Sequence, residues 1–430
     1  MREKIVVTGM GAVTPVGIGV EEYWDGLISG VCGIRKITRF DASDCPVQIA
    51  GEVDYARVQE AFPKKLFKHT DPFTQYAYLA AEEALAMCMK NCAGPAGASP
   101  DAGTDGPVPA LPCAPERMGI TLGNSMAGIT TICETQETFT LAEKKAVGPR
   151  FVPRVIGNMA AAQIAIPYGI RGPSVTISTA CASGGDAIRY AALLLETGEA
   201  DAVLTLGSES TLTPIVFYSL ASAQALSKRN DEPEKACRPF DEDHSGFVMG
   251  EGGGALVLET ETHAKARGAQ IYAELAGWAA TSDAYHVTAP HPEGEGAIRC
   301  LRLALEKAGA DPSEIGYLNA HGTGTKSGDA AEALVIREVF GMDGGAKGLA
   351  VSSTKASTGH LMGAGGITEA IACIQALRTG LLPATISLET PAYDLDLVTG
   401  GPRRAEITAA MTNALGFGGQ NSSLVFRKYH

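Results

Sequence analysis

The sequence predicts an α/β fold built from two related halves. Three observations carry this. Short apolar, strand-like runs alternate with longer helical stretches, the pattern of sheets covered by helices. Two segments share one layout. In the first, a strand, Ser-Thr and Gly184-Gly185 lead into a helix ending Glu196-Thr197-Gly198. In the second, a strand, Ser-Thr and Gly365-Gly366 lead into a helix ending Arg378-Thr379-Gly380. This is a faint internal repeat. Finally, the 51 glycines cluster in short motifs, so backbones are expected to approach closely around a site.

The elements follow in order. Lys4 to Gly11 reads as a strand ending Gly9-Met10-Gly11, and Glu21 to Leu27 as a helix. The glycine pattern resembles a dinucleotide-binding turn, but Thr14 stands at the third glycine position and no acidic partner follows, which argues against that reading. Phe62 to Lys90 has helical spacing, with Lys64, Lys65 and Lys68 at its front. Residues 91–115 have no periodicity and read as a long flexible surface loop. Strands follow at Arg117–Gly123, around Val175 and Ile177, and at Ala202–Gly207, Phe247–Leu258, Ala273–Ala279, Ile315–Ala320 and Leu349–Ser353. Helices are expected at Ile156–Ile164, Ala182–Leu195, Gly296–Ala308, Asp329–Phe340 and Ile367–Arg378.

Bulk properties narrow the function. The net charge of −13 over 430 residues argues against nucleic acid as the main partner. No apolar run reaches the roughly 18 residues of a membrane span, and no signal-peptide pattern stands at the start. Ten scattered cysteines with no C-x-x-C pair read as reduced thiols of a cytoplasmic protein, and Cys and His show no metal-ligand spacing.

Cys181 stands at the small-residue turn between the strand around Val175 and the helix from Ala182. There the free N–H groups and positive dipole end of a helix favour an anion, so the thiol is expected to ionise readily. A lone Cys in such a turn is more often core. Three further small-residue settings change that weighting: Asn319-Ala320-His321-Gly322-Thr323-Gly324-Thr325, the stretch from Ser352 to His360 with Lys355, and the Gly-rich turn Gly416-Phe417-Gly418-Gly419.

Thr-Ala-Cys-Ala-Ser, His-Gly-Thr-Gly-Thr, Lys-x-x-x-x-His-x-x-Gly-Ala and Gly-Phe-Gly-Gly occur in this order. By them the chain resembles the elongating β-ketoacyl-[acyl-carrier-protein] synthases of the thiolase superfamily, most closely the synthase II type. The resemblance runs from Val6 to the C-terminal Leu-Val-Phe-Arg-Lys. It implies a thiolase-like fold of five layers, α-β-α-β-α, with halves 1–265 and 266–430, and a homodimer. It implies decarboxylative condensation of an acyl-enzyme with malonyl-carrier protein, with no resident cofactor or metal, since phosphopantetheine arrives on the acyl carrier protein.

The resemblance also assigns roles. Cys181 is the nucleophile, His321 and His360 hydrogen-bond the enolate, and Lys355 orients the site with Asp329 and Glu332 as its acidic partners. The N–H groups of Cys181 and Phe417 form the oxyanion hole, and Phe417 is the gate. Thr323 and Thr325 hold the pantetheine arm, Met126 lies at the floor of the acyl pocket, and Lys65, Lys68 and Arg229 dock the carrier. His244-Ser245 departs from the family's Arg-Asp, and Ala127 replaces a common Gly. Gly324 also occurs in polyketide ketosynthases, which keeps that pathway as the alternative. A chain-initiating synthase, a thiolase and a non-catalytic chain-length subunit fit less well. The first lacks the second His with Lys355, the second needs another catalytic Cys, and the third typically lacks the nucleophile.

Overall fold

The computed structural model describes residues 3–90, 92, 110–142, 147–341 and 348–429. Most of the 91–115 segment lies outside the described residues. Its described end is not surface loop, because Leu111 and Cys113 are buried in the core.

Ten strands define the architecture: β1 (Ile5–Thr14), β2 (Met118–Gly123), β3 (Ser174–Ile177), β4 (Ala202–Glu209), β5 (Gly252–Thr260), β6 (Ala273–Ser282), β7 (Ile315–Asn319), β8 (Ala350–Ser352), β9 (Ala409–Gly416) and β10 (Gln420–Arg427). Their spatial order is β3-β2-β4-β5-β1-β6-β10-β9-β7-β8, and a two-residue strand at Gly17–Ile18 pairs with the end of β1. The first five strands and the last five repeat the same order and the same directions. In each half the second strand is parallel to the third and fourth, and the fifth is antiparallel to the fourth and the first. The halves meet where Ile5–Val7 of β1 pairs antiparallel with Ala273–Leu275 of β6. The internal repeat seen in the sequence is therefore a structural duplication.

Helices set the layers. Helix α1 (Pro72–Cys88) covers β1, β4 and β5 from outside, and α2 (Ile129–Ala142) and α3 (Met159–Tyr168) follow it in the chain. Helices α4 (Ser183–Glu196) and α8 (Gly365–Thr379) touch each other and strands of both halves, so they form the middle layer. On the far side α6 (Glu295–Ala308) covers β6 and β10, with α7 (Lys326–Phe340) beside it. Helix α5 (Pro214–Ser222) follows β4.

Two close approaches explain glycine motifs. A Cβ on Gly11 would stand 1.9 Å from the Ala80 carbonyl oxygen, and one on Gly9 2.1 Å from that of Ala84. These glycines seat α1 against β1, and the strand runs through them to Thr14 instead of ending at Gly11. In the middle layer, a Cβ on Gly366 would stand 2.4 Å from the Gly185 nitrogen and one on Gly184 2.9 Å from the Gly363 oxygen. Helices α4 and α8 thus start back to back, with almost no side chain between them.

Other expectations shift. The helix expected from Phe62 to Lys90 divides into Lys64–Phe67 and α1, because Asp71 caps α1 through the Phe73 N–H and Pro72 begins it. The strand expected from Phe247 begins only at Gly252, and Phe247, Met249 and Gly250 make isolated bridges. Helices α2 and α5 and the β9–β10 hairpin had no clear sequence signal. The Gly-rich turn at Phe417 is the tip of that hairpin.

Candidate active site

Cys181 lies in the 3-10 turn Ala180–Ala182, directly ahead of α4. Ala180 adopts φ 51°, a left-handed conformation that brings the turn sharply off the strand. The Ser183 hydroxyl braces the turn. It receives the Thr179 N–H at 2.9 Å and lies within hydrogen-bonding distance of the carbonyls of Ala180 and Asn124.

The duplication brings the other groups to this turn. His321 follows β7, and His360 follows the short helix Lys355–Thr358 after β8. The His360 Nε2 is 3.0 Å from the Cys181 sulfur. Its Nδ1 accepts the Met362 N–H at 3.2 Å, which leaves the ring proton on Nε2, facing the sulfur. The two imidazoles meet edge to face, 5.3 Å between centroids, and Phe247 packs edge-on against His360. Sulfur and ring nitrogens lie within 4.8 Å of one another, close enough for a metal. Two features work against a cation there: the proton held on His360 Nε2, and the charge of Lys355 beside both rings.

Electrostatics set the protonation states. Burial pushes the Cys181 thiol up to about 11, while the Lys355 charge and the Phe417 N–H directed at the sulfur pull it back. The expected easy ionisation at a helix start does not prevail, because the thiol is buried. Burial first, then the Lys355 charge, holds both His321 and His360 well below the usual imidazole range. Both rings are therefore neutral at physiological pH, able to donate one hydrogen bond each.

Lys355 itself is paired, but not as the sequence reading expected. Its ammonium contacts Glu369 of α8, and both side chains are buried. Glu332 instead accepts the backbone N–H groups of His321 and Gly322 at 2.7 and 2.6 Å and the Asn413 amide at 2.9 Å. Asp329 accepts those of Phe240 and Gly324 at 2.7 and 3.1 Å, and burial raises its carboxyl to about 7. The two acids fix the His321–Thr325 loop to α7, and Lys355 reaches Glu332 only through space. Glu369 was missed because it sits inside a helix, not in a motif. Its signal is a lone acid in the apolar run Ile367–Leu377.

A cavity of about 760 Å³ opens onto Cys181, His321 and His360. Phe417 stands at its wall, 37% exposed. Thr323 and Thr325 line it with their hydroxyls 3.0 Å apart, and Lys326, Gln224 and Ser245 add polar groups that the sequence reading had not placed there. Ser245 bonds Ser227 at 3.0 Å, while the neighbouring His244 is buried. Met126 is not among the lining residues. It is 39% exposed, and its N–H binds Glu209. Leu212, Val216, Phe217, Phe247 and Met362 form an apolar cluster with Cys181, and Phe247 also lines the cavity. Lys65 and Lys68 are exposed at the short helix Lys64–Phe67. Arg229 lies 3.7 Å from Asp243 and 3.8 Å from Glu232, so its charge is partly engaged within the chain.

A buried thiol aimed at by one backbone N–H and one neutral imidazole, at the seam of a duplicated α/β fold, is built for acyl transfer through cysteine. The chain belongs to the β-ketoacyl synthase family. The family's N-terminal domain matches residues 2–264 and its C-terminal domain residues 272–389. Over its whole length it is 41% identical to 3-oxoacyl-[acyl-carrier-protein] synthase 2 of Staphylococcus aureus, covering 99% of that protein. It is a condensing acyltransferase. A β-ketoacyl synthase structure from Burkholderia phymatum superposes with a TM-score of 0.86 at 31% identity, covering 100% of both chains. A type II polyketide ketosynthase, solved with its acyl-carrier protein, superposes with 0.84 at 30% identity, again over 100% of both chains.

The buried ion pair gives a first test. Glu369→Leu leaves the Lys355 ammonium buried and alone, and should cost about 3–5 kcal/mol in urea unfolding. The double variant Lys355→Met/Glu369→Leu should recover most of that loss without recovering condensation. Equal stability of the single variant and the parent would show that the pair is not a buried unit.

Proposed function

We propose that the chain elongates acyl chains in fatty-acid synthesis, by condensing a Cys181-bound acyl group with malonyl-acyl carrier protein to give 3-ketoacyl-carrier protein. The observation that carries this reading is the Phe417 N–H and the His360 Nε2 converging on one buried sulfur.

The steps follow from the groups present. The Cys181 sulfur attacks the thioester carbon of an acyl-carrier protein, the oxyanion accepts from the N–H groups of Cys181 and Phe417, and the pantetheine thiol leaves with the cysteine proton. Malonyl thioester then enters beside Thr323 and Thr325. Its carboxylate leaves as CO₂, and the electron pair passes into an enolate whose oxygen accepts from His321 and His360. Neutral rings suit this step: each offers one N–H and stays uncharged while the enolate forms and is consumed, and donors fixed in a dry site are worth more than in water. The enolate carbon attacks the acyl-Cys carbonyl. The carbon–sulfur bond breaks, and the released thiolate takes up one proton from solvent through the His360 Nε2 beside it, which restores the Cys181 thiol. Burial first, and then the charge of Lys355, which is paired with Glu369, keeps the rings neutral. The chemistry uses only these side chains and calls for no resident cofactor; a thiol nucleophile among ten unpaired cysteines suits the reducing cytoplasm.

Two partners belong to this reading. The acyl carrier protein is supported by the relative's name and by the polyketide ketosynthase solved with its carrier. Lys65 and Lys68 are the cations we assign to its acidic surface. The second partner is another copy of the chain. Strand β3 ends the sheet with its outer edge unpaired among the described residues and its side chains partly exposed. Nearby Ile166 on α3 is 64% exposed. An open strand edge beside an exposed apolar residue suits a twofold pairing of like strands. A polyketide pathway remains the second reading, favoured by the full-length match to the polyketide ketosynthase. The chemistry would be the same and the carrier different.

Intact mass after incubation with fatty acyl-carrier protein should show one acyl adduct, mapped to Cys181 and discharged as 3-ketoacyl product by malonyl-carrier protein. Cys181→Ser should show no adduct, and an adduct elsewhere would refute the nucleophile. Failure to load fatty acyl groups, with loading from a polyketide carrier, would select the second reading.

Charge reversal in Lys65→Glu/Lys68→Glu should weaken carrier binding by about 1 kcal/mol or more, with a larger effect at low salt. Unchanged affinity in surface plasmon resonance would remove these lysines from the docking site.

Ile166→Glu should convert a two-copy species into a one-copy species in sedimentation equilibrium. A one-copy mass for the unaltered protein would dismiss the dimer.

A further inference from the structure

The duplication implies a counterpart of the catalytic turn. The 3-10 turn Met362–Ala364 precedes α8 as Ala180–Ala182 precedes α4. Met362 has φ 49° where Ala180 has 51°, and the helices close on Gly380 and Gly198 at φ 66° and 72°. Gly363 therefore stands where the other half has Cys181. Likewise Ser125, two residues past β2, stands where His321 stands past β7.

This second position is filled. The carboxylate of Glu209, at the end of β4 and fully buried, accepts the Ser125 N–H at 2.7 Å, the Met126 N–H at 3.1 Å and the Gly363 N–H at 3.2 Å, and also contacts the Ser125 hydroxyl. Three backbone amides and a hydroxyl around one carboxylate make an anion hole occupied from within. The fit is close, since a Cβ on Gly363 would lie 2.8 Å from the Glu209 oxygen and 2.8 Å from the Asn124 Cα.

The occupied hole lies between two segments that pack on the apolar cluster around Cys181. On one side is Met362, part of the apolar cluster around Cys181, next to Gly363. On the other is the loop Asn124–Gly128, which runs into Ile129, packed on the same cluster. The loop is also tied to the nucleophile's own helix, where Ser183 lies 3.1 Å from the Asn124 oxygen.

We propose that Glu209 is a positioning residue: its carboxylate, the permanent occupant of the anion hole in the duplicated half, fixes the Ser125–Met126 loop against Gly363 and so sets which acyl chains Cys181 accepts. This rests on the condensing reading given above. Glu209 touches no reacting atom, and its effect is on acyl discrimination, not on the condensation step.

The test is the loading rate of Cys181 by intact mass with short-, medium- and long-chain acyl-carrier proteins, for the unaltered protein and for Glu209→Gly. The variant should change the long-to-short loading ratio about tenfold or more, the scale of discrimination that a small change in pocket shape carries. Formate, which can occupy the vacated hole, should restore the original ratio, whereas chloride at equal ionic strength should not. If Glu209→Gly does not fold, Ser125→Ala, which removes one donor, must move the same ratio. An unchanged ratio in the folded variant, or a changed ratio that formate leaves as it is, overturns the proposal. Absence of loading by the unaltered protein with every chain would instead refute the condensing reading.

Discussion

The back-to-back start of α4 and α8 is the constraint on which the rest depends. Gly184 and Gly366 let two helix N-termini meet with backbone against backbone, each seated on the facing helix start. A side chain at that point would force the helices apart and with them the two sheets they separate, at the cost of about 1–3 kcal/mol or more for each misfit. The contact also fixes where each half delivers its loops. Cys181 comes from one half, while His321, Lys355, His360 and Phe417 come from the other, and they meet only because the middle layer is this thin. The site is thus a product of the interface between duplicated halves, not of either half alone.

Around that contact, charge is organised by burial. Acids that would be costly alone each take backbone N–H groups or a cation: Glu332 holds the His321 loop, Asp329 the Gly324 loop, and Glu369 the lysine. The lysine's charge then acts outward on the histidines. Removing it would let their protonation rise toward the ordinary range, where a second proton would turn hydrogen-bond donors that suit an enolate into groups that hold the thiolate instead. Neutral imidazoles and an un-ionised thiol are the resting state that burial and one cation produce together.

The groups that converge on Cys181 were legible in the sequence because each sits in a short contiguous motif of small residues at a turn or strand end. What was not legible was long-range. Glu369 pairs with Lys355 across a turn from within a helix, where no local pattern announces it. The family resemblance gave Asp329 and Glu332 to Lys355; in the structure both accept backbone N–H groups while Glu369 meets the lysine, because a motif marks an acid and not which donor it meets. The β9–β10 hairpin was read only as its tip, since both of its faces are covered and the period-two alternation of a half-exposed strand is missing. The expected acidity of Cys181 failed for a related reason. A helix start is visible in sequence, but the depth at which the thiol is buried is not.

The joining of β1 to β6 has a consequence for how the chain is made. Strand β1 leaves the ribosome long before its partners, β5, residues 252–260, and the start of β6, residues 273–275. At roughly 5–20 residues per second, translation leaves this apolar strand without its sheet for on the order of tens of seconds. During that time its local cover is the Gly17–Ile18 strand, the helix Val20–Ile28 and α1, which seats on Gly9 and Gly11. The glycines that admit α1 so closely therefore serve the nascent chain as well as the finished one: they give an early, local cover to a strand whose permanent neighbours arrive late.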